Sequence, residues 1–229
     1  MASSLPLKVF IGFDSRQVVS FTVLAMSIMQ RASKPVAIIP LILETLPITR
    51  RGLTPFTFSR FLVPWLSDFE GQSVFLDADI ILRDDIHKMA RCNDGVSDVM
   101  VVKHEGSLEF ERPSVMLFNN AKCADLTPQF VESPSNQLFD FKWARKVGDL
   151  PKEWNHLVGY EAPNPKAKLA HFTQGVPVFP ETSKSEFASE WISLMSRATS
   201  SRSWGEIMGS SVHAQHVRER LREVKEDAA

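Results

Sequence analysis

The 229-residue chain is 44% apolar and carries 26 Lys and Arg against 27 Asp and Glu, a formal net charge of -1. That length supports one sizeable core, and the balanced charge gives no field for gathering nucleic acid or an anionic membrane, so an anionic ligand has to be held by local groups. Two cysteines, Cys92 and Cys123, make neither a disulfide framework nor a metal-ligand spacing, which favours a reducing, cytoplasmic setting.

Residues 1–8 lack the basic start and apolar run of a signal peptide, so none is expected. No stretch approaches the ~18 to 20 apolar residues that span a bilayer. Peripheral membrane contact stays open. Lys8 to Phe13 is a β-branched and aromatic run that stops at Asp14-Ser15-Arg16, which predicts a buried first strand ending in a loop. Val18, Phe21, Ala25, Ile28 and Met29 recur at helical spacing and predict an amphipathic helix over 18–29. Val36 to Leu43 predicts a second strand, and this β-α-β opening points to a largely parallel sheet covered by helices.

Phe58, Phe61, Leu62, Trp65 and Leu66 form a helical stripe, with Thr54 or Thr57 as its cap. Pro64 cannot donate to the carbonyl of Arg60, so a kink or stop is expected there. Gln72 to Leu76 reads as the next strand, with Ile80 to Leu82 as its short continuation. Further strands are expected at 98–102, 114–118 and 167–172. Two prolines between Thr127 and Asn136 predict a loop. Residues 181–229 read as helical and increasingly charged, and the alternating charges of Arg218 to Asp227 predict a solvated surface helix.

The chemistry concentrates at Asp77-Ala78-Asp79, directly after the apolar run Val74-Phe75-Leu76. In extended backbone, residues i and i+2 share a side, so both carboxylates can face one cation while Ala78 turns away. Oxygen donors of this kind suit Mg2+ or Mn2+, with substrate phosphates completing the shell. The plain alternative is a pair of solvated aspartates capping a helix that starts near Asp84.

Four ordered segments make a family visible: Phe10-Ile11-Gly12-Phe13-Asp14, Phe58-Ser59-Arg60-Phe61-Leu62-Val63-Pro64, Phe75-Leu76-Asp77-Ala78-Asp79 and Leu169-Ala170-His171-Phe172-Thr173. Together they resemble family 8 glycosyltransferases. Leu117-Phe118-Asn119-Asn120, Leu150-Pro151-Lys152-Glu153-Trp154-Asn155 and His171 to Gly175 are similar to compact bacterial and phage-type glycosyltransferase-like proteins. The resemblance implies an α/β chain of the GT-A type, the Rossmann-like nucleotide-diphospho-sugar transferase fold, with a mostly parallel central sheet and flanking helices. It assigns 1–190 to a catalytic domain and leaves 191–229 as a C-terminal helical extension.

The same resemblance makes Asp77, Asp79 and His171 ligands of Mn2+ or Mg2+, and a neutral imidazole is a sound third ligand. It implies transfer from a nucleoside diphosphate sugar, a UDP-sugar by analogy, to a saccharide, lipid-linked or other hydroxyl acceptor, with retention at the anomeric centre. Asp14 matches the position that grips base or ribose, although an Asp there also suits a helix cap. Arg16 would reach a phosphate or a surface acid. Arg60 would lie across the nucleotide and the Asp-x-Asp pair, and Gly175 belongs to the late motif.

The family's lysine in its His-x-x-Gly-x-x-Lys-Pro pattern is missing: Gly175 falls one place late and Val176-Pro177-Val178 follow. Arg60, Lys103 or Lys184 are the candidates to replace it. Asn119, Asn120, Trp154 and Asn155 are expected near sugar or acceptor, because amides suit hydroxyl-rich ligands. Gln137, Asp140 and Glu109 are the polar candidates to face the anomeric carbon. A degenerate sugar-nucleotide-binding module is one rival. A haloacid-dehalogenase-like phosphatase is another, weakened because its Asp-x-Asp ends the opening strand.

Overall fold

β1 (Leu7–Gly12), α1 (Val18–Arg31) and β2 (Val36–Leu41) form the opening unit, with β1 and β2 parallel. The computed structural model describes residues 5–199 together with 215, 216, 219, 220 and 222. α2 (Phe56–Ser59), β3 (Gln72–Leu76), β4 (Ile80–Leu82), α3 (Ile86–Ala90), β5 (Val99–Val101) and β6 (Val115–Asn119) follow. The remaining elements are α4 (Pro128–Glu132), β7 (Val147–Asp149), β8 (His156–Leu157), β9 (Leu169–His171) and α5 (Ala188–Thr199). The chain divides into two compact units, Met1–Met195 and Ser196–Ala229. Most of the expected 191–229 extension and of the 218–227 charged run lies outside the described residues.

Six strands make the main sheet in the order β2-β1-β3-β6-β5-β7. β6 runs antiparallel to both its neighbours, while the other pairings are parallel, so the sheet is mostly parallel with one reversed strand. Alternation along each strand feeds two cores. Val9, Ile11, Val74, Leu76, Val115 and Leu117 pack on one face with Leu24 and Ile28 of α1. Phe10, Phe75, Met116 and Phe118 pack on the other with Phe56, Phe61 and Leu62. The helix α1 is rotated from the expected stripe: Val18 and Met29 are exposed, and Val23, Leu24, Ser27 and Ile28 face inward.

Several expectations change. First, Ile80 to Leu82 does not continue β3. β3 makes its last rung where the Asp77 N–H donates to the Ser114 carbonyl, the chain bends at Ala78-Asp79, and β4 joins β9 and β8 in a separate three-stranded sheet. Second, the 58–66 stripe is broken into α2 and tight 3-10 turns at Arg60–Leu62 and Trp65–Ser67, with Pro64 at the break as its missing N–H requires. Thr54 and Thr57 do not cap it through their side chains, since they bond each other and Pro55 occupies the N-cap. Third, the loop at 127–136 contains α4, capped by the Thr127 hydroxyl with Pro128 in the first turn. Residues 181–187 are turns, and helix starts only at Ala188.

Gly12 ends β1 directly beneath Phe56. A Cβ there would lie 2.5 Å from the Phe56 ring, and Phe56 carries the carbonyl that accepts from Arg60 Nε at 3.2 Å. Gly12→Ala is therefore expected to lower the unfolding free energy by about 1–3 kcal/mol through overpacking. Urea denaturation measures it, and a neutral substitution would show that Phe56 is free to move.

Candidate active site

Strand parity builds the site. Ala78, Ile80 and Leu82 stay on the α1 side of the fold, buried with Leu76. Asp77 and Asp79 consequently face away from that core. On their side stands Arg60, delivered by the short turn after α2 and lying over the Phe75 ring at 4.9 Å. Arg60 Nη2 is 3.1 Å from Asp77 Oδ1. Its Nε donates to the Phe56 carbonyl and its Nη1 to the Pro113 carbonyl at 3.0 Å, so the guanidinium is held on three sides.

β9 brings His171 opposite Ile80. The imidazole is buried, with Nε2 3.2 Å from Asp79 Oδ1 and Nδ1 3.1 Å from Asn155 Oδ1. Asn155 spends both amide protons elsewhere, on the Glu111 carbonyl at 3.2 Å and Ser114 Oγ at 3.1 Å. Its carbonyl oxygen is thus the atom facing His171, and it requires the proton on Nδ1. The Nε2 edge is left toward Asp79.

Glu111 completes the cluster. It is buried, its Oε2 lies 3.7 Å from His171 Nδ1, and its Oε1 accepts from the Thr173 hydroxyl. Asp77, Glu111 and His171 each present a donor atom within 4.8 Å of the others. Glu111 was missed in the sequence, where Glu109 drew attention instead; Glu109 is exposed and paired with Arg112. The signal lay in the spacing: residues 106–114 form a 3-10 turn, whose period of three aligns Leu108, Glu111 and Ser114 on the inner side.

The electrostatics follow from crowding. Burial, reinforced by Asp79 and Glu111 against the pull of Arg60 and His171, pushes the Asp77 carboxyl up to about 7. Burial opposes charge on His171, but Asp79, with Glu111 and Asp77, outweighs it and raises the imidazole to about 9. Asp77 Oδ1 has no hydrogen bond of its own among the described residues. Three carboxylates against one guanidinium and one protonated imidazole leave a deficit of positive charge in the site, and the donor set of carboxylates and imidazole fits a divalent cation.

The other expected residues fall in three groups. Asp14 and Arg16 sit together after β1: Arg16 Nη2 donates to Asp14 Oδ2 at 2.6 Å, and these bonds hold the Asp14 carboxyl below its usual range. Asp14 does not cap α1, whose N-cap is Gln17. Gly175 adopts φ +118, in the region that favours glycine, in the loop after β9. A cleft of about 380 Å³ exposes Asp77, Asp79, Arg60, Glu111, His171 and Thr173. A second of about 410 Å³ joins it at Asp79 and Thr173 and reaches Arg16 and Gly175.

The rest stand apart from the cluster. Asn119 pairs with Gln72 at the opposite end of β3 from Asp77, roughly 15 Å along the strand. Asn120 is buried on Ser73 Oγ and the Glu70 carbonyl, and Trp154 lies in the core. Gln137 is exposed, and Asp140 is paired with Lys142 at 2.8 Å. Lys103 is paired with Asp149, and Lys184 is exposed in the 181–187 turns.

No protein-family model matches the chain. Protein CDI of Arabidopsis thaliana is 31% identical over 225 residues, covering 83% of this chain and 86% of that protein. Among solved structures, the WbbM bifunctional glycosyltransferase is similar with a TM-score of 0.61 at 14% identity over 96% of this chain, which spans about half (52%) of the WbbM chain. The galactosyltransferase LgtC, solved with donor and acceptor sugar analogues, is similar with a TM-score of 0.56 at 12% identity over 87% of this chain and 99% of that one. These likenesses establish the fold. No helix among the described residues is long and apolar enough to cross a membrane.

A folded-state pKa raised from 6.5 to about 9 makes the His171 contribution to stability complete below pH 6.5 and lost as pH rises through 9. His104, whose pKa burial lowers from 6.5, acts with the opposite sign but is neutral in both states above pH 7. Without added metal, the melting midpoint is expected to fall between pH 7 and 9. His171→Asn should flatten that slope, and an unchanged slope would place the titrating group elsewhere.

Proposed function

The chain belongs to the same family as the Arabidopsis thaliana Protein CDI and has the fold of GT-A glycosyltransferases, and from this premise we propose that it is a metal-dependent glycosyltransferase acting on a nucleoside diphosphate sugar. The observation that carries the reading is the group Asp77, Glu111 and His171, the last two buried, with Asp79 beside it, open to a cleft at the carboxyl end of β3. Ligands of open α/β sheets bind in that position.

Asp77, Asp79 and His171 would hold Mn2+ or Mg2+, with Glu111 within reach as a further carboxylate. The bound cation supplies positive charge to a diphosphate leaving group as its negative charge grows. Asn155 is a positioning residue: it fixes the His171 tautomer so that the Nε2 lone pair faces the cleft. Arg60 neutralises Asp77 and spends Nε and Nη1 on the Phe56 and Pro113 carbonyls, which leaves Nη2 as its one group with protons to give a phosphate.

That narrows the replacement for the absent lysine. Arg16, with its side chain 70% exposed, lines the cleft shared with Thr173 and Gly175 and is proposed to leave Asp14 in part for the diphosphate. Asp14 would then turn toward ribose or base. The donor is proposed to be a UDP-sugar and the outcome retention, both on the likeness of the ordered motifs. An acceptor hydroxyl can pass its proton to the departing phosphate oxygen, so the scheme needs no strong protein base.

With Mn2+ present, slow hydrolysis of a matching nucleoside diphosphate sugar is expected, and Asp79→Ala should abolish it. Asn155→Ala should weaken the apparent Mn2+ affinity by about 10- to 100-fold while leaving saturated turnover detectable. Activity that survives Asp79→Ala would sink the metal-dependent scheme. Nucleotide binding with no turnover on any donor would point to a binding module, and phosphate release from simple monoesters to a phosphatase.

A further inference from the structure

Nearly half of the large apolar side chains exposed among the described residues gather around the site. Of eleven exposed among the described residues, five line the two clefts that meet at Asp79: Leu53, Phe110, Phe139, Val178 and Phe179. Scattered single exposures are ordinary, whereas a concentration around a cleft marks a binding surface. Three of the five, Leu53, Phe110 and Phe139, belong to the mouth of the cleft that holds Asp77 and His171.

This rim is built into the fold. The 3-10 turn that buries Glu111 turns the preceding Phe110 outward, 58% exposed. Phe139 is 41% exposed but held edge-on by Phe58 at 6.0 Å and Phe61 at 5.5 Å, the segment that also carries Arg60. Its position relative to Asp77 is therefore set before any ligand arrives. Beside these rings the mouth offers Gln17, Thr54 and Thr57, while the charged groups of the same cleft are the deeper Arg60, Asp77, Asp79, Glu111 and His171.

Charge inside and apolar surface outside divide the substrates between them. On the glycosyltransferase reading, a nucleoside diphosphate sugar would direct its charged part to the inner groups, and the acceptor would reach the reacting centre past Leu53, Phe110 and Phe139. Resting on the glycosyltransferase reading above, we propose that the acceptor carries an alkyl or aryl group next to its reacting hydroxyl, and that these three side chains bind that group.

Calorimetry with octyl and methyl β-glucoside, each below its micelle concentration and with UDP and Mn2+ present, tests the proposal. The octyl compound should bind at least about 10-fold more tightly, and Phe110→Ser with Phe139→Ser should erase the difference. Because Phe139→Ser also removes ring contacts, Leu53→Ser with Phe110→Ser provides a second variant whose lost side chains are surface groups. Equal binding of the two glucosides, or a preference that persists in both variants, overturns the proposal. So does sedimentation with phosphatidylcholine vesicles that the variants abolish while the glucosides bind alike, since the rim would then dock a membrane. Donor hydrolysis by the unmodified protein without acceptor reports separately on the glycosyltransferase reading, so the two can fail independently.

Discussion

The arrangement of this protein turns on the ion pair between Arg60 and Asp77 at the end of β3, in a corner that also receives Asp79, Glu111 and His171. Three carboxylates cannot share a poorly hydrated site without compensation, because burial penalises each charged form and each acid raises the pKa of the next. One guanidinium and a protonated imidazole offset part of that. The remaining deficit is what makes the corner receptive to a cation. Breaking a buried ion pair typically costs about 3–5 kcal/mol, and Arg60 is held in place for its pair by the Phe56 and Pro113 carbonyls as well.

Several departures from regular structure serve that corner. The bend at Ala78-Asp79 lets β4 leave the main sheet and pair with β9, and β9 delivers His171 beside Asp79. The reversed strand β6 begins where Ser114 accepts from the Asp77 N–H, and the 3-10 turn before it inserts Glu111. Asn155, just before β8, ties these pieces together by bonding Glu111, Ser114 and His171 at once. A buried polar network of this kind holds its shape only when each member is satisfied.

The sequence made legible what local periodicity controls. Alternation in Val74-Phe75-Leu76-Asp77 was enough to put the carboxylates on the side opposite Ala78, and the β-α-β opening was readable from residues 8–43. Features that depend on distant partners were not. The departure of β4 is decided by pairing with residues 169–171, some ninety positions later. Glu111 looked no different from Glu109 until the 3-10 turn separated them, and β7 and β8 are too short to carry a periodic signal. Asn119 and Asn120, though in a recognisable motif, lie at the far end of the strand pair because β6 runs antiparallel to β3.

On the proposed reading, the Asp77, Asp79 and His171 corner holds a divalent cation through His171 Nε2. Electron paramagnetic resonance of Mn2+ titrated into the protein, with and without UDP, tests it most directly. The account predicts one tightly bound Mn2+ per chain, strengthened by UDP, with a nitrogen coupling that disappears in His171→Ala. Mn2+ that stays free, or a bound signal identical in His171→Ala, would contradict it.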